Sequence, residues 1–253
     1  MTVRLDGRVV LVTGASRGIG RAVARHLAAS GATVGIHYGQ NHTEAEALAR
    51  ETGGVPFQAD LNERDAPDLL WDAALAHFGR VDVLVANAGI FESAPLDAEG
   101  WLEVWERTQA VNLRAAAALC RRAVLHARAR REAGETGVAV RIVTVSSRAA
   151  FRGDDEEYWA YAASKGGLVA LTKSIARAGG GVVAFGVAPG FTRTDMASAS
   201  LAEHGEAAIA QGVALDRLTE PDDLAPLVVL LASGLADHAT GTTVDVNGAS
   251  YVR

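Results

Sequence analysis

Short apolar runs rich in β-branched residues recur along the whole chain, each followed by an amphipathic stretch. They fall at 8–14, 32–38, 55–60, 81–87, 138–147, 182–189 and 242–247. Runs such as RVVLVTG and VDVLVAN are almost continuously apolar, the pattern of parallel strands buried on both faces. Between them lie helix-like segments, including 20–30, 99–132 and 158–177. Parallel strands joined through helices require right-handed crossovers. The expectation is therefore an α/β fold with a doubly wound parallel sheet of about seven strands, Rossmann-type. With no repeat, low-complexity tract or linker, 1–253 reads as one domain. Only 191–218, alanine-rich after Pro189 and Gly190, breaks the rhythm, and it is read as a lid over a substrate.

Composition narrows the function. A net charge of −6 and no long basic block argue against nucleic-acid binding, because an acidic chain repels a phosphate backbone. No apolar stretch is long enough to span a bilayer, and the N-terminal apolar run is too short for a signal peptide. Cys120 is the only cysteine, which excludes an internal disulfide or a cysteine-based metal site. These features lead to the expectation of a cytoplasmic protein without a metal. Only two lysines occur, Lys165 and Lys173, so the position of Lys165 carries information.

The first strand runs directly into TGASRGIG (13–20), and an amphipathic helix follows. Glycines at 14, 18 and 20 closing a strand and opening a helix let a backbone approach a pyrophosphate at the helix N-terminus. Gly14, Ser16, Arg17, Gly18, Ile19 and Gly20 are thus candidate cofactor contacts. An NAD site places a carboxylate at the end of the second strand to bind the adenosine ribose. Here that strand ends IHYGQN, with Tyr38 near the expected place and no acid. Arg17 offers a cation to a 2′-phosphate, or else is simply solvated. The missing acid and the added guanidinium favour NADPH over NADH.

The segment YWAYAASKGGL (158–168) holds two tyrosines before one lysine. In a helix, Tyr161 and Lys165 are four apart and share a face, whereas Tyr158 lies two turns away, roughly 10 Å along the axis. A cation within about 4–6 Å favours the phenolate by one to three pKa units. Tyr161 can then exchange a proton with an alcohol or ketone as general acid or base. VTVSS (143–147) ends the fifth strand at the carboxyl edge, where α/β sheets bind ligands, so Ser146 or Ser147 could hold a carbonyl or merely end the strand. ANAG (86–89) ends the fourth strand in the same row.

Together with DL (60–61), VNL (111–113), PGFTRTD (189–195) and VDVNGAS (244–250), these motifs resemble the short-chain dehydrogenase/reductase family. The resemblance covers nearly the full chain and is nearest to 3-oxoacyl-[acyl-carrier-protein] reductases. It implies an NAD(P)-dependent oxidoreductase acting on CH–OH/C=O groups. Tyr161 would be the acid/base, with Lys165 lowering its pKa and holding the nicotinamide ribose. Ser147, the second serine of its pair, would polarise the carbonyl, and Asn112 would anchor a water in a proton relay. Asp60 and Leu61 would meet adenine, and Asn87, Ala88 and Gly89 would line the adenosine ribose. Pro189, Gly190, Thr192 and Thr194 would lie along the carboxamide. A homotetramer built on the helices of 99–132 and 159–177 and the last strand is also implied.

The chain departs from the family in three places. The Ser147–Tyr161 interval is one residue longer than usual and carries RGDDEE (152–157), an acidic loop that either rejects acidic substrates or is a solvated face. The 176–185 segment is about two residues short and puts Phe185 where relatives carry asparagine. NGA replaces a double glycine near the end. For an acyl carrier protein, Arg130 and Arg131 match one basic position, but they equally suit the macrodipole at a helix C-terminus. The second basic position falls in 178–181, which has no basic residue. The sequence thus points to an NADPH-dependent ketoreductase acting on a 3-oxoacyl or similar small carbonyl compound. The alternatives are an alcohol or sugar dehydrogenase working in oxidation and, remotely, a dinucleotide sensor without chemistry.

Overall fold

The computed structural model describes residues 3–253. All seven expected strands form: β1 Val9–Val12, β2 Thr33–Tyr38, β3 Val55–Gln58, β4 Val83–Ala86, β5 Val140–Val145, β6 Val182–Pro189 and β7 Thr243–Val246. They make one parallel sheet in the order β3-β2-β1-β4-β5-β6-β7. The order reverses between β1 and β4, so the crevice at their carboxyl ends is where this topology admits a ligand.

Around the sheet stand α1 Gly18–Ala29, α2 His42–Thr52, α3 Ala66–Phe78, α4 Trp101–Gln109, α5 Ala115–Glu132, α6 Ala149–Arg152, α7 Trp159–Ala178, α8 Ser198–His204, α9 Glu206–Ala210 and α10 Pro221–Ser233. Among the described residues, no helix is long and apolar enough to cross a membrane. The sheet alternates its side chains between two apolar layers. Val10 and Val12 pack with Val23 and Leu27 of α1 and Leu224 and Val228 of α10. Leu11, Leu84 and Ile142 face the other layer with Trp71 of α3 and Leu119 of α5. Each fully buried Val or Leu contributes about 1.5–3 kcal/mol, so the two layers make the sheet a rigid platform.

Two local features that the resemblance marks as unusual have physical explanations. Phe185 is fully buried and packs beside Val143 and Val187, so its aromatic ring fills space in the core. The shortened link from α7 to β6 is made by Gly179, Gly180 and Gly181, with φ of 61°, 72° and 87°. Three consecutive left-handed residues turn the chain in a space that side-chain-bearing residues could not use without strain. The 99–132 segment, expected as one helix, is α4 and α5 joined by a π turn at Ala110–Arg114 that contains Asn112.

At the amino edge, Asp82 is fully buried and accepts a bond from Val9 N at 2.8 Å. Arg80 and Arg130 reach its carboxylate at 2.6 and 3.1 Å. Arg130 also donates to the carbonyls of Val81 and Ala139 and pairs with Glu135. It is therefore a fastener at the strand starts, at the opposite edge of the sheet from the ligand crevice.

At the carboxyl edge, His37 links three strands. Its Nδ1 accepts a hydrogen bond from Gly14 N at 3.0 Å, which puts the ring proton on Nε2, where it donates to Ala59 O at 3.1 Å. Burial lowers the imidazole to about pH 4, with the Ala59 bond opposing in part. A second proton would leave Gly14 N without its acceptor. Because the folded-state value lies below that of an exposed histidine, His37 favours folding fully above about pH 6.5 and the benefit fades as pH falls toward about 4. Urea unfolding at about pH 7 and about pH 4.5 is expected to show the wild type losing about 2 kcal/mol more than His37→Asn over that interval. Equal losses would remove His37 from this role.

Candidate active site

A cleft of about 900 Å³ opens along the carboxyl ends of the strands. One end is formed by the glycine turn. Gly14 and Gly18 take φ of 63° and 53°, and a Cβ on Gly20 would collide with the Gly14 carbonyl and with Asn87 Nδ2. The amides of Gly14 and Ala15 are already bonded to His37, so the donors facing the cleft come from the first turn of α1. That turn has no acidic residue and no side-chain cap, a local environment that suits an anion. Ser16, Arg17, Gly18 and Ile19 line the cleft there, and Asp60, Leu61, Asn87, Ala88 and Gly89 line its floor. Pro189, Gly190, Thr192 and Thr194 form the far wall. The residues fit a dinucleotide: a glycine cradle, an uncapped helix start and a long crevice on one sheet edge.

Tyr38 is a correction. It was expected against the adenosine, but strand alternation turns it into the core, where it is 5% exposed and its hydroxyl meets His42 Nδ1 at 2.8 Å. The cleft positions at the end of β2 are His37, Gly39, Gln40 and Asn41. None of them is a carboxylate. Arg17 is exposed and its guanidinium lies 3.9 Å from Asp195, a weak, solvent-screened contact.

At the other end, Tyr161 and Lys165 stand one turn apart on α7, with Lys165 Nζ 5.6 Å from the Tyr161 ring centre. Lys165 is buried and donates to Val145 O at 2.9 Å, at the end of β5. Ser147 lies at the same strand end, and its Oγ accepts from Ala149 N at 3.1 Å. Ser146 is buried with its hydroxyl donating to Lys165 O at 2.9 Å. One serine is thus tied to the helix backbone, while the other faces the cleft together with Tyr161. Tyr158, by contrast, stacks flat on Phe91 at 4.1 Å, and Tyr161 meets the same ring edge-on at 4.8 Å. Phe91 was not anticipated from the sequence, because nothing in the 90–98 loop pattern marks it.

The direction of the Tyr161 shift differs from expectation. Burial pushes the phenol up to about 12, and the Ser147 bond offsets this only in part. Lys165 is itself buried, and burial lowers the lysine to about 8. Burial disfavours the phenolate more than the neighbouring groups favour it. Tyr161 in this setting is a proton donor.

Asn112 is fully buried in the π turn. It accepts from Ile90 N at 2.7 Å and donates to Ile90 O at 2.9 Å and to Ser164 Oγ at 3.1 Å. Both amide hydrogens are committed, so the side chain clamps the loop after β4 to α7. A Cβ on Gly89 would lie 3.3 Å from both Asn112 Oδ1 and Lys165 Nζ, which explains the glycine there.

The matches to known proteins agree with this site. The family model described as enoyl-(acyl carrier protein) reductase matches residues 14–249. The chain is 36% identical to the 3-oxoacyl-[acyl-carrier-protein] reductase FabG of Escherichia coli, covering 99% of this chain and 100% of that one. It is 35% identical to 3beta-hydroxysteroid dehydrogenase 1 of Eggerthella lenta, covering 96% and 94%. Among solved structures, a short chain dehydrogenase from Burkholderia cenocepacia in complex with NADP is 34% identical with a TM-score of 0.87, covering 98% and 99%. A 3-ketoacyl-(acyl-carrier-protein) reductase from Brucella melitensis complexed with NADH is 30% identical with a TM-score of 0.87, covering 98% and 100%. The chain belongs to the short-chain dehydrogenase/reductase family and is an NAD(P)-dependent oxidoreductase acting on CH–OH/C=O groups.

Proposed function

We propose that the protein is an NADPH-dependent reductase of a small ketone, of the 3-oxoacyl type or similar, working through Ser147, Tyr161 and Lys165. The observation that carries this reading is the convergence of Tyr161 and Ser147 on one cleft with the buried Lys165 one helical turn behind. The bound dinucleotide supplies a hydride. Ser147 donates a hydrogen bond to the substrate oxygen, a bond that strengthens as negative charge develops there. Tyr161, held protonated by burial, gives its proton to that oxygen. Lys165 holds the nicotinamide ribose and supplies a positive charge beside the phenol. Asn112 positions this group by fixing the loop after β4 against α7, and any water relay would use its remaining acceptor capacity.

The absence of a carboxylate at the end of β2 supports NADPH, and Arg17 would meet the 2′-phosphate after leaving Asp195. Met196, Ser200 and Ile209 of the 191–218 segment line the cleft, in keeping with a lid. Arg130 is engaged with Asp82 and Glu135, and no basic residue stands at 178–181. A free small ketone therefore fits better than one delivered on an acyl carrier protein. A cytoplasmic homotetramer goes with this reading, and the exposed Leu102, Leu125 and Trp159 on α4, α5 and α7 would be covered in it.

Tyr161→Phe is expected to lower the turnover of any ketone found to be reduced by at least about a hundredfold, with coenzyme affinity kept. Tyr158→Phe should cost less than about tenfold, since its ring only stacks on Phe91. Retained turnover in Tyr161→Phe would end its assignment as the acid. Dissociation constants measured by fluorescence should favour NADPH over NADH by about tenfold or more, and Arg17→Ala should narrow the gap. A preference for NADH would instead support the dehydrogenase direction.

A further inference from the structure

Ser147 is followed at once by Arg148, the residue at the N-terminal boundary of α6. Four arginines line the cleft: Arg17, Arg107, Arg148 and Arg152. Arg107 grips Glu92 through two guanidinium nitrogens, Arg152 donates to Asp154 at 3.0 Å, and Arg17 lies 3.9 Å from Asp195. Among the described residues, the Arg148 guanidinium has no hydrogen-bond acceptor and no carboxylate within ion-pair distance. It is half-buried, and burial works against its charge. A planar guanidinium carries five donors, and leaving them partly desolvated without an acceptor costs free energy that a bound anion would recover.

The surrounding charges set the size of that anion. Asp154, the half-buried carboxylate of this wall, is held by Arg152, so the pair is close to neutral. Asp155 and Glu203 also line the cleft but are exposed at its mouth, where water screens them. Lys165 stands behind Tyr161 and is assigned to the nicotinamide ribose, so Arg148 is the cation left beside Ser147 for a substrate. It matches a monoanion such as a carboxylate, whereas a phosphate dianion would have to face the acidic mouth with half its charge unanswered.

We propose that Arg148 binds a carboxylate on the substrate, so that the ketone reduced by this protein is an oxo acid. The inference rests on the reductase reading for where the carbonyl sits, but its test is a binding measurement that needs no turnover. Pyruvate, acetoacetate and levulinate, which differ in the distance from ketone to carboxylate, are titrated calorimetrically against the protein saturated with NADP⁺. Each is compared with its methyl ester, and dihydroxyacetone phosphate serves as the phosphate-bearing ketone. At least one acid is expected to bind about tenfold or more tightly than its ester, as a charge-assisted bond to a guanidinium requires. In Arg148→Met that ratio should fall to about one, and Arg148→Lys should restore part of it. Thermal melts of both variants establish that they fold. Three results overturn the proposal: no acid binding ahead of its ester, a preference that survives in Arg148→Met, or the phosphate binding more tightly than every acid. Selective binding that depends on Arg148, without reduction of any of these ketones by NADPH, would leave the proposal standing and count against the reductase reading.

Discussion

The site is organised by an ammonium group buried without a carboxylate partner. Lys165 reaches the floor of the cleft and is held there by a single carbonyl acceptor, that of Val145 at the last residue of β5. Burial at this depth lowers the amine to about 8. Below that value the amine is charged and opposes folding on the order of 3 kcal/mol compared with an exposed lysine, an opposition that fades as pH rises from about 8 to about 10.5. Such a cost persists in a protein only where the surrounding structure fixes the group and something else uses it. Here the two apolar layers of the sheet fix α7 against β5, and the ammonium ends one helical turn behind the phenol of Tyr161.

The neighbouring contacts follow from that placement. Ser146 bonds the backbone of Lys165 and so ties the helix to the end of β5, which frees Ser147 for the cleft. Asn112 bridges the loop after β4 to Ser164, the residue preceding the lysine. Gly89 stays a glycine because both Asn112 and the ammonium crowd the position its side chain would take. Two strand ends, the π turn and α7 thus converge on a single buried charge. At the other end of the crevice His37 does comparable work with a neutral ring, joining the glycine turn to the end of β3.

Much of this was legible in the sequence, because periodicity and spacing report directly on backbone geometry. The apolar runs gave seven strands, and a four-residue separation chose Tyr161 over Tyr158 as the partner of Lys165. The misreadings arise where a tertiary contact decides the matter. Tyr38 and His37 are adjacent in a strand, and only the register settles which of them faces the cleft; the pattern alone suggested the wrong one. Spacing placed a cation beside the phenol, but it could not show that burial would outweigh that charge and leave Tyr161 high. The sequence left Arg130 open between a docking position and a structural role, and its pairing with the buried Asp82, nearly fifty residues away, is a tertiary contact that no local pattern reports. The π turn at Asn112 and the lone guanidinium of Arg148 left no periodic trace at all.

Because the chain contains only two lysines, the central claim can be read from one titration. Lys165 is buried and Lys173 is exposed, so NMR of ¹³Cε-labelled lysine across the alkaline range gives two signals that Lys173→Arg assigns. The Lys165 signal should titrate at about 8. A Lys165 signal titrating instead at the free-lysine value of about 10.4 would mean that the amine is solvated, and the account of the cleft built around it would be contradicted.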